Sequence, residues 1–216
     1  HGFVRLVDSM GSDLSVVRAA RVSYDAEWRA GDDTEGDRKL INYLWKHKHS
    51  TPFEAVTFTF EVKAPIFVLR QWHRHRTWSY NELSARYKEL PEEYYVPDVE
   101  QITTQSTNNK QMRTDEPNEH CLEIGEYIDE QNKQAFRLYH KLLDLECPRE
   151  LARTVLPLAT YSHMFATVNL LNLMKFCTLR THDHAQYEIR VYAKAMLELA
   201  KTVAPICLAA WERESP

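Results

Sequence analysis

The residues best suited to chemistry are concentrated in one segment, 74–87, which follows an apolar stretch. The segment contains three arginines, Arg74, Arg76 and Arg86, together with a histidine, a glutamate and two serines among aromatic residues. Guanidinium groups are planar, forked donors that suit phosphate oxygens, and they stay charged at physiological pH. Three of them this close would repel one another unless a polyanion lay among them. The segment therefore predicts an anion-binding site.

His75 is predicted to serve this site as a neutral ring. The arginines on either side disfavour the imidazolium form and so lower the pKa of the ring, which leaves it able to hydrogen-bond a heterocycle. Ser84 carries the hydroxyl of a nucleophile, but no nucleophile elbow surrounds it and no histidine lies near it in sequence as a base. A binding or capping role is therefore predicted for Ser84.

An alternative without any ligand is open for part of the segment. Ser79 or Asn81 would cap a short helix, with Glu82 in its first turn and Arg86 one turn later. Glu82 and Arg86 would then form an i, i+4 ion pair.

Further polar residues are predicted to join the anion site. Arg153 and Arg180 close apolar segments, where an arginine either extends to water or is paired in a cleft. A helix that continues to about Arg74 would place Gln71 and Arg74 on one face. Together with segment 74–87, the site would contain five guanidinium groups, more than one phosphate monoester requires. Two phosphorylated ligands are therefore predicted.

Histidine pairs with one intervening residue give a competing hypothesis, a metal-dependent nucleotide hydrolase. The pairs lie far apart in sequence and lack an accompanying pattern of carboxylates, so solvent-facing or hydrogen-bonded histidines are the favoured interpretation and no metal is predicted. The pairs are His47 and His49, His73 and His75, and His182 and His184.

A third hypothesis is an RNA-binding module in which Trp78 and Tyr80 are stacking platforms. The formal net charge of −4 counts against it, because binding to a nucleic-acid backbone needs a broad positive surface. No nucleic-acid partner is therefore predicted.

Composition favours a globular chain with one core. The chain has 216 residues, of which 44% are hydrophobic and 27% charged. No apolar run is long enough for a membrane span, and the N-terminus lacks a secretion signal, so a cytoplasmic location is expected. The four cysteines stand singly, which predicts inert thiols in place of a zinc ribbon or a disulfide framework.

Hydrophobic periodicity predicts the elements that position these residues. Strands are predicted over 3–7 and, from clear period-two alternation, over 56–62. Helices are predicted from Asp13, from Thr34 to the histidine-rich turn 47–52, and from Pro65 to about Arg74.

The second half of the chain is predicted to be mainly helical. A strand over 94–96 and a flexible surface loop over 98–117 precede it, because the loop has no period and is rich in Thr, Gln and Asn. Helices are predicted over 118–146, through Arg153, over 166–179, and along the stripe from Ile189 to Val203.

These elements predict an α+β fold. The expectation is a single domain over residues 1–216, with an antiparallel sheet flanked by helices. No glycine-rich phosphate loop occurs among the five glycines, so arginine side chains must bind the phosphates.

The residues also resemble a known family. Arg74-His75-Arg76, followed by seven residues and Ser84, is similar to the signature of the flavin-dependent thymidylate synthases. The resemblance implies the fold of that family and the reductive methylation of dUMP to dTMP, with methylenetetrahydrofolate as carbon donor, NADPH as reductant and FAD as mediator. Further similar segments, in order and spacing, are 49–54, the strand after it, 64–71, Arg153 with 156–157, 167–169 and 179–186.

The resemblance implies a dUMP site in which Arg180 stabilises negative charge on the uracil ring and so makes the neighbouring carbon more nucleophilic. Ser84 then orients the substrate and is not the nucleophile. The implied dUMP-binding residues are Gln71, Arg74, Glu82, Leu83, Ser84, Arg86, Arg153 and Arg180.

The resemblance also implies an FAD site, with His49 beside the flavin near the folate and with Arg180 and His49 as the catalytic residues. Such sites lie at subunit junctions of a homotetramer. Leu171 stands where members often have arginine, and Lys175, one turn later, is expected to supply the charge. The implied FAD-binding residues are Thr51, Arg74, His75, Arg76, Glu82, Asn169 and Lys175.

Overall fold

The computed structural model describes residues 1–214, and the chain forms two compact units whose segments alternate along the sequence. Unit 1 comprises residues 1–3, 63–73 and 82–164, and unit 2 comprises residues 4–62, 74–81 and 165–216.

Strands occur between Phe3 and Asn169, and only helices follow in the rest of the described range. The strands are β1 (Phe3–Met10), β2 (Thr57–Pro65), β3 (Ser79–Glu82), β4 (Thr103–Gln105), β5 (Arg113–Pro117) and β6 (Tyr161–Asn169). The α-helices are α1 (Asp13–Arg21), α2 (Thr34–Lys46), α3 (Ile66–Trp72), α4 (Cys121–Asp144), α5 (Arg149–Ala152), α6 (Leu170–Arg180), α7 (Tyr187–Lys201) and α8 (Pro205–Glu214). Short 3-10 helices span Val22–Tyr24, Glu27–Arg29, Thr51–Ala55, Val99–Gln101 and Arg153–Val155.

Four strands form one antiparallel sheet in the order β1-β2-β6-β3, which confirms the predicted α+β fold class. The alternation that predicted β2 is reproduced in its burial, since Phe58, Phe60 and Val62 are fully buried. The intervening Glu61 is also buried, and its carboxylate is paired with the guanidinium of Arg5 on β1.

Unit 2 contains helices that pack in pairs, α6 with α7 and α2 with α8. The N-terminus of α2 lies at Thr34, as predicted, and it is capped by the Asp33 carboxylate, which accepts from the Gly36 backbone N–H at 2.9 Å. The buried carboxylate of Asp13 accepts from the backbone N–H groups of Ile206 and Cys207 in the first turn of α8. These bonds fix two distant parts of the chain within unit 2.

Unit 1 contains the long helix α4, whose buried face holds Phe136 and Tyr139 against Ala152 of α5. The Tyr139 hydroxyl oxygen accepts from the Leu90 backbone N–H at 3.2 Å. The predicted helix over 118–146 is therefore confirmed, with ends two to three residues further inside at Cys121 and Asp144.

The helix predicted over 166–179 is wrong in its first part, because β6 continues to Asn169 and α6 begins only at Leu170. Side chains of β6 alternate in burial over most of its length, and Ala166 and Val168 are buried while Phe165 is 43% exposed. The helix begins where Asn169 accepts from the Asn172 backbone N–H at 2.9 Å.

The prediction of a loop without regular structure over 98–117 is wrong. Strands β4 and β5 pair within this segment as an antiparallel hairpin. The hydroxyl groups of Thr104 and Thr114 lie 2.6 Å apart across the two strands. The Gln105 amide also donates to the Met112 carbonyl at 2.7 Å. Cross-strand pairs of β-branched residues stabilise such a hairpin without a periodic apolar pattern.

Three smaller predictions differ from the structure. The strand over 94–96 is reduced to a single bridge between Tyr94 and Thr160. Helix α3 ends at Trp72, before Arg74. The helix predicted up to Val203 ends at Lys201, and the helix after it, α8, was not predicted. Among residues 1–214, none of the helices combines the length and the apolar character needed to cross a membrane.

Candidate active site

The centre of the site in unit 2 is a hydrogen bond between two residues that are 105 positions apart. Arg180, the last residue of α6, donates from Nε to Nε2 of His75 at 3.1 Å. Both side chains are partly buried. Because Nε2 accepts this bond, the ring proton of neutral His75 must be on Nδ1.

The neutral state predicted for His75 agrees with its surroundings. Burial is the larger cause and the Arg180 guanidinium the smaller, and together they lower the pKa of His75 from 6.5 to about 4. The predicted lowering of the pKa of His75 is confirmed, but its causes differ from the predicted one. Arg180, from a distant part of the sequence, takes the role that had been assigned to the arginines adjacent to His75.

Aromatic rings pack against His75, the acceptor of this bond. The Phe176 ring, one turn before Arg180 on α6, meets the His75 ring edge-on at 4.9 Å and the Trp78 ring at 5.1 Å. The Tyr80 hydroxyl donates to the His75 backbone carbonyl at 2.9 Å. Trp78 is only 7% exposed, so it is packed in unit 2 and does not offer the stacking platform that the RNA hypothesis required.

Arg74 and Arg76 lie in the turn between α3 and β3, on either side of His75, and both are exposed. Neither makes an ion pair or a hydrogen bond with another residue of the described range 1–214. Because α3 ends before Arg74, the expectation that Gln71 and Arg74 share one helical face is wrong. Two exposed guanidinium groups without acidic partners in the described range are suited to an anionic ligand, so the predicted polyanion site stays a prediction.

Unit 1 contains the polar residues that follow the turn. The Ser162 hydroxyl on β6 donates to the Glu82 carboxylate at 2.6 Å, and His73 Nε2 lies 3.9 Å from the other carboxylate oxygen. The Leu83 backbone N–H donates to the His163 carbonyl at 2.8 Å. Ser162 and His73 were not predicted as site residues, and for Ser162, 80 positions from Glu82, no local sequence signal exists.

The alternative that paired Glu82 with Arg86 on a helix is wrong, because Ser79–Glu82 is strand β3. Arg86 instead lies 3.4 Å from the Glu150 carboxylate, and Arg153 Nε donates to the Glu150 backbone carbonyl at 3.4 Å. The Ser84 hydroxyl accepts from the Arg86 backbone N–H at 3.3 Å. Unit 1 thus brings Arg86 and Arg153 together around one residue, next to Ser84.

The candidate flavin residues of unit 2 outside the turn lie at element ends or on exposed faces. Thr51 is exposed at the start of a 3-10 helix, and Asn169 caps α6 with its side-chain carbonyl. Leu171 is 5% exposed and packed in the core, whereas Lys175, one turn later, is exposed. A charge contributed from this part of α6 must therefore come from Lys175.

His49 is exposed beside the C-terminal end of α2. The Tyr43 ring lies 5.9 Å from the His49 ring and 4.3 Å from the His47 ring. The His182 and His184 rings are 4.7 Å apart. Within residues 1–214, no group of three or more histidine, cysteine, aspartate or glutamate side chains is arranged to hold a metal ion.

We predict that His75 titrates near pH 4 in the folded protein and near 6.5 in the unfolded chain. The unfolded state then binds more protons between these values, so stability is complete above about pH 6.5 and falls as the pH is lowered towards 4. NMR titration of the ring and melting temperatures across this range measure both effects.

The variant His75→Gln should lose part of this acid sensitivity. Arg180→Gln removes the cation but keeps the burial, so the pKa of His75 should rise only part of the way to its ordinary value. A His75 ring that titrates at its ordinary value in the unchanged protein would contradict the arrangement.

Comparison with known proteins agrees with this geometry. The family described as "Thymidylate synthase complementing protein" matches residues 5–206. Flavin-dependent thymidylate synthase of Treponema denticola is 48% identical over 217 residues, covering 98% of this chain and 79% of that protein. The enzyme of the same name from Thermotoga neapolitana is 46% identical over 205 residues, covering 94% and 88%.

A solved structure extends the agreement to the fold. The UMP/dUMP methylase PolB from Streptomyces cacaoi, bound with 5-Br dUMP, superposes with a TM-score of 0.90 at 39% identity, covering 100% of this chain and 98% of that one. The match of residues 5–206, the identities above 40% over nearly the whole chain and the shared fold lead to one conclusion: the chain belongs to the family of flavin-dependent thymidylate synthases.

Proposed function

We propose that this protein, as one domain over residues 1–216, methylates dUMP to dTMP, with methylenetetrahydrofolate as carbon donor, NADPH as reductant and FAD as mediator. The observation that carries the proposal is the Arg180–His75 hydrogen bond beside two exposed arginines without acidic partners. Family membership supports the reaction, and the nucleotide named for the PolB structure supports the substrate. A cytoplasmic location stays a prediction.

The dUMP site needs cations for a phosphate and a polar group for the uracil. Within unit 1, Arg86 and Arg153 lie close to one another around Glu150 and are proposed as dUMP-binding residues. Within unit 2, the exposed guanidinium of Arg74 and the half-buried one of Arg180 are proposed as dUMP-binding groups. The remaining residues proposed for dUMP are Gln71, Glu82, Leu83 and Ser84, all of unit 1.

Arg180 is proposed as the residue that acts on the uracil ring. A fixed cation stabilises an oxygen or nitrogen that becomes negative, and it does so more strongly in a partly buried place than in water. Burial lowers the pKa of Arg180 itself, but an arginine remains protonated at neutral pH. The bond to His75 holds the side chain in one orientation, so no reorganisation is needed when charge develops.

Ser84 is proposed to orient dUMP. Its hydroxyl accepts a bond from the Arg86 backbone N–H, and this bond holds it in the turn that carries Arg86. The Ser162 hydroxyl holds the carboxylate of Glu82 in place. Glu82, two residues before Ser84, is therefore a second hydrogen-bond acceptor with a fixed orientation. Neither arrangement activates a hydroxyl as a nucleophile, which agrees with the proposed role.

FAD is proposed to bind Arg74, His75 and Arg76, where cationic side chains without acidic partners fit its pyrophosphate. When bound, the flavin supplies transfer of hydride equivalents between NADPH and the substrates. His49, exposed at the end of α2, is proposed to lie beside the flavin and the folate as the second catalytic residue. The other residues proposed for FAD are Thr51, Glu82, Asn169 and Lys175.

We also propose that the protein is a homotetramer. Helix α4 of unit 1 and the residue that follows it expose large apolar side chains at positions that share one face, namely Tyr127 at 65%, Leu138 at 45% and Leu145 at 69%. Exposed apolar side chains that lie together on one face commonly mark a contact with another protein chain. Light scattering of the purified protein measures the subunit number, and a monomer at micromolar concentration would contradict the proposal.

Arg180→Ala tests the proposed chemistry. Loss of a donor that stabilises developing charge costs about 10²- to 10³-fold in kcat, so dTMP formation should fall by this factor while bound FAD is retained. The matched control is Arg38→Ala, an exposed arginine on α2 outside the site, which should leave the rate unchanged. Purified protein without flavin absorbance that takes up no added FAD would contradict the proposal as a whole.

Lys175→Ala tests the flavin site separately. Removal of an exposed cation that contacts a phosphate should raise the Kd for FAD by roughly three- to tenfold, measured by titration of the apoprotein. Lys194→Ala, which removes an exposed cation of α7, should leave it unchanged. An unchanged Kd in Lys175→Ala would exclude Lys175 from the site.

A further inference from the structure

Unit 2 contains a cleft of about 340 Å³ between α2 and α8, outside the residues assigned above. Its lining includes Tyr43, Lys46 and His47 from the C-terminal part of α2, and Arg213 and Glu214 from the end of α8. Ligand pockets generally measure about 300–1,000 Å³, so this cleft has room for one end of a ligand and not for a whole dinucleotide.

The cleft is cationic. Lys46 is exposed and makes no ion pair with another residue of the range 1–214. The Arg213 guanidinium donates to the side-chain carbonyl of Asn42, a neutral acceptor that positions it without neutralising it. Among the described residues of the lining, Glu214 is the one carboxylate, beside the two permanent cations Lys46 and Arg213. An anionic group is the ligand that this lining favours.

Aromatic rings connect the cleft with His49. The Tyr43 ring, which lines the cleft, lies 4.3 Å from the His47 ring and 5.9 Å from the His49 ring. The Tyr43 ring therefore belongs to the same lining as Lys46 and Arg213 and also lies near His49, which is outside the lining. An imidazole, a phenol ring and two cations are thus available to one ligand that extends from His49 into the cleft.

We infer that the cleft binds the glutamate tail of the folate cosubstrate, an inference that rests on the proposed function. A folate carries a pterin, an aminobenzoyl ring and then carboxylates, and these groups suit an imidazole, a phenol ring and cations respectively. With the pterin beside His49, the aminobenzoyl ring packs on Tyr43, and the carboxylates pair with Lys46 and Arg213. A tail of several glutamates gains more from these cations than a single glutamate does.

The test compares tetrahydrofolate carrying one glutamate with tetrahydrofolate carrying three, each bound to the FAD-loaded protein with dUMP and measured by calorimetry. The unchanged protein should bind the triglutamate roughly three- to tenfold more tightly. Lys46→Ala should remove most of this preference, and Lys46→Glu should abolish it. Lys39→Ala, which removes an exposed cation from the same helix outside the cleft, should retain it.

Equal binding of the two folates by the unchanged protein would overturn the inference, and so would an undiminished preference in both Lys46 variants. If the Lys46 variants raised the KM for NADPH and left folate binding unchanged, the inference would also be overturned. The cleft would then bind a phosphate of NADPH and not the glutamate tail. Failure of the proposed function is seen differently, as absent dTMP formation with either methylenetetrahydrofolate, while calorimetry still reports the glutamate preference. Melting temperatures identify any variant that is not folded.

Discussion

The hydrogen bond from Arg180 to His75 is the interaction on which the arginine-rich turn of unit 2 depends. It exists only while the ring is neutral, because an imidazolium has no acceptor to offer. Burial and the nearby cation provide that condition by disfavouring the protonated ring. The same residue is held twice more, by the Phe176 ring and by the Tyr80 hydroxyl on its backbone carbonyl. Three separate contacts therefore fix a turn that has no regular secondary structure of its own.

This anchoring explains how Arg74 and Arg76 stand side by side without acidic partners. Exposure to water screens their mutual repulsion, and the buried Trp78 and the partly buried His75 supply the packing that keeps the turn in place. Unit 1 follows a different principle, because its exposed Arg86 is already close to the carboxylate of Glu150. A phosphate at Arg86 must compete with that carboxylate, whereas a phosphate at Arg74 or Arg76 replaces only water. A phosphate is therefore expected to bind more weakly at Arg86 than at Arg74 or Arg76.

The sequence predicted what local periodicity encodes. Strand β2, helix α2 and helix α4 follow from alternation or a 3.6-residue stripe, whereas the anion site inferred from arginine spacing stays a prediction. It did not predict contacts between distant positions, such as Ser162 with Glu82 or Arg180 with His75, because nothing in local spacing specifies them. The boundary between β6 and α6 was missed for another reason. An apolar run that is buried in both a strand and the helix after it shows no change of period where one becomes the other.

That boundary sets the distance between the two residues of α6 and its N-cap that are proposed to bind ligands. Because α6 begins at Leu170 and has 11 residues, Asn169 and Arg180 lie at its opposite ends, about 16 Å apart at 1.5 Å per residue. A helix from 166, as the sequence suggested, would have placed Asn169 within its first turns, where its side chain could not cap Leu170 and the residues after it. At the strand end, its side-chain carbonyl oxygen accepts from the Asn172 N–H, and its side-chain amide still has two N–H donors. In the proposed function the two ends of α6 therefore serve different ligands, the flavin at Asn169 and dUMP at Arg180, with the exposed Lys175 between them in sequence.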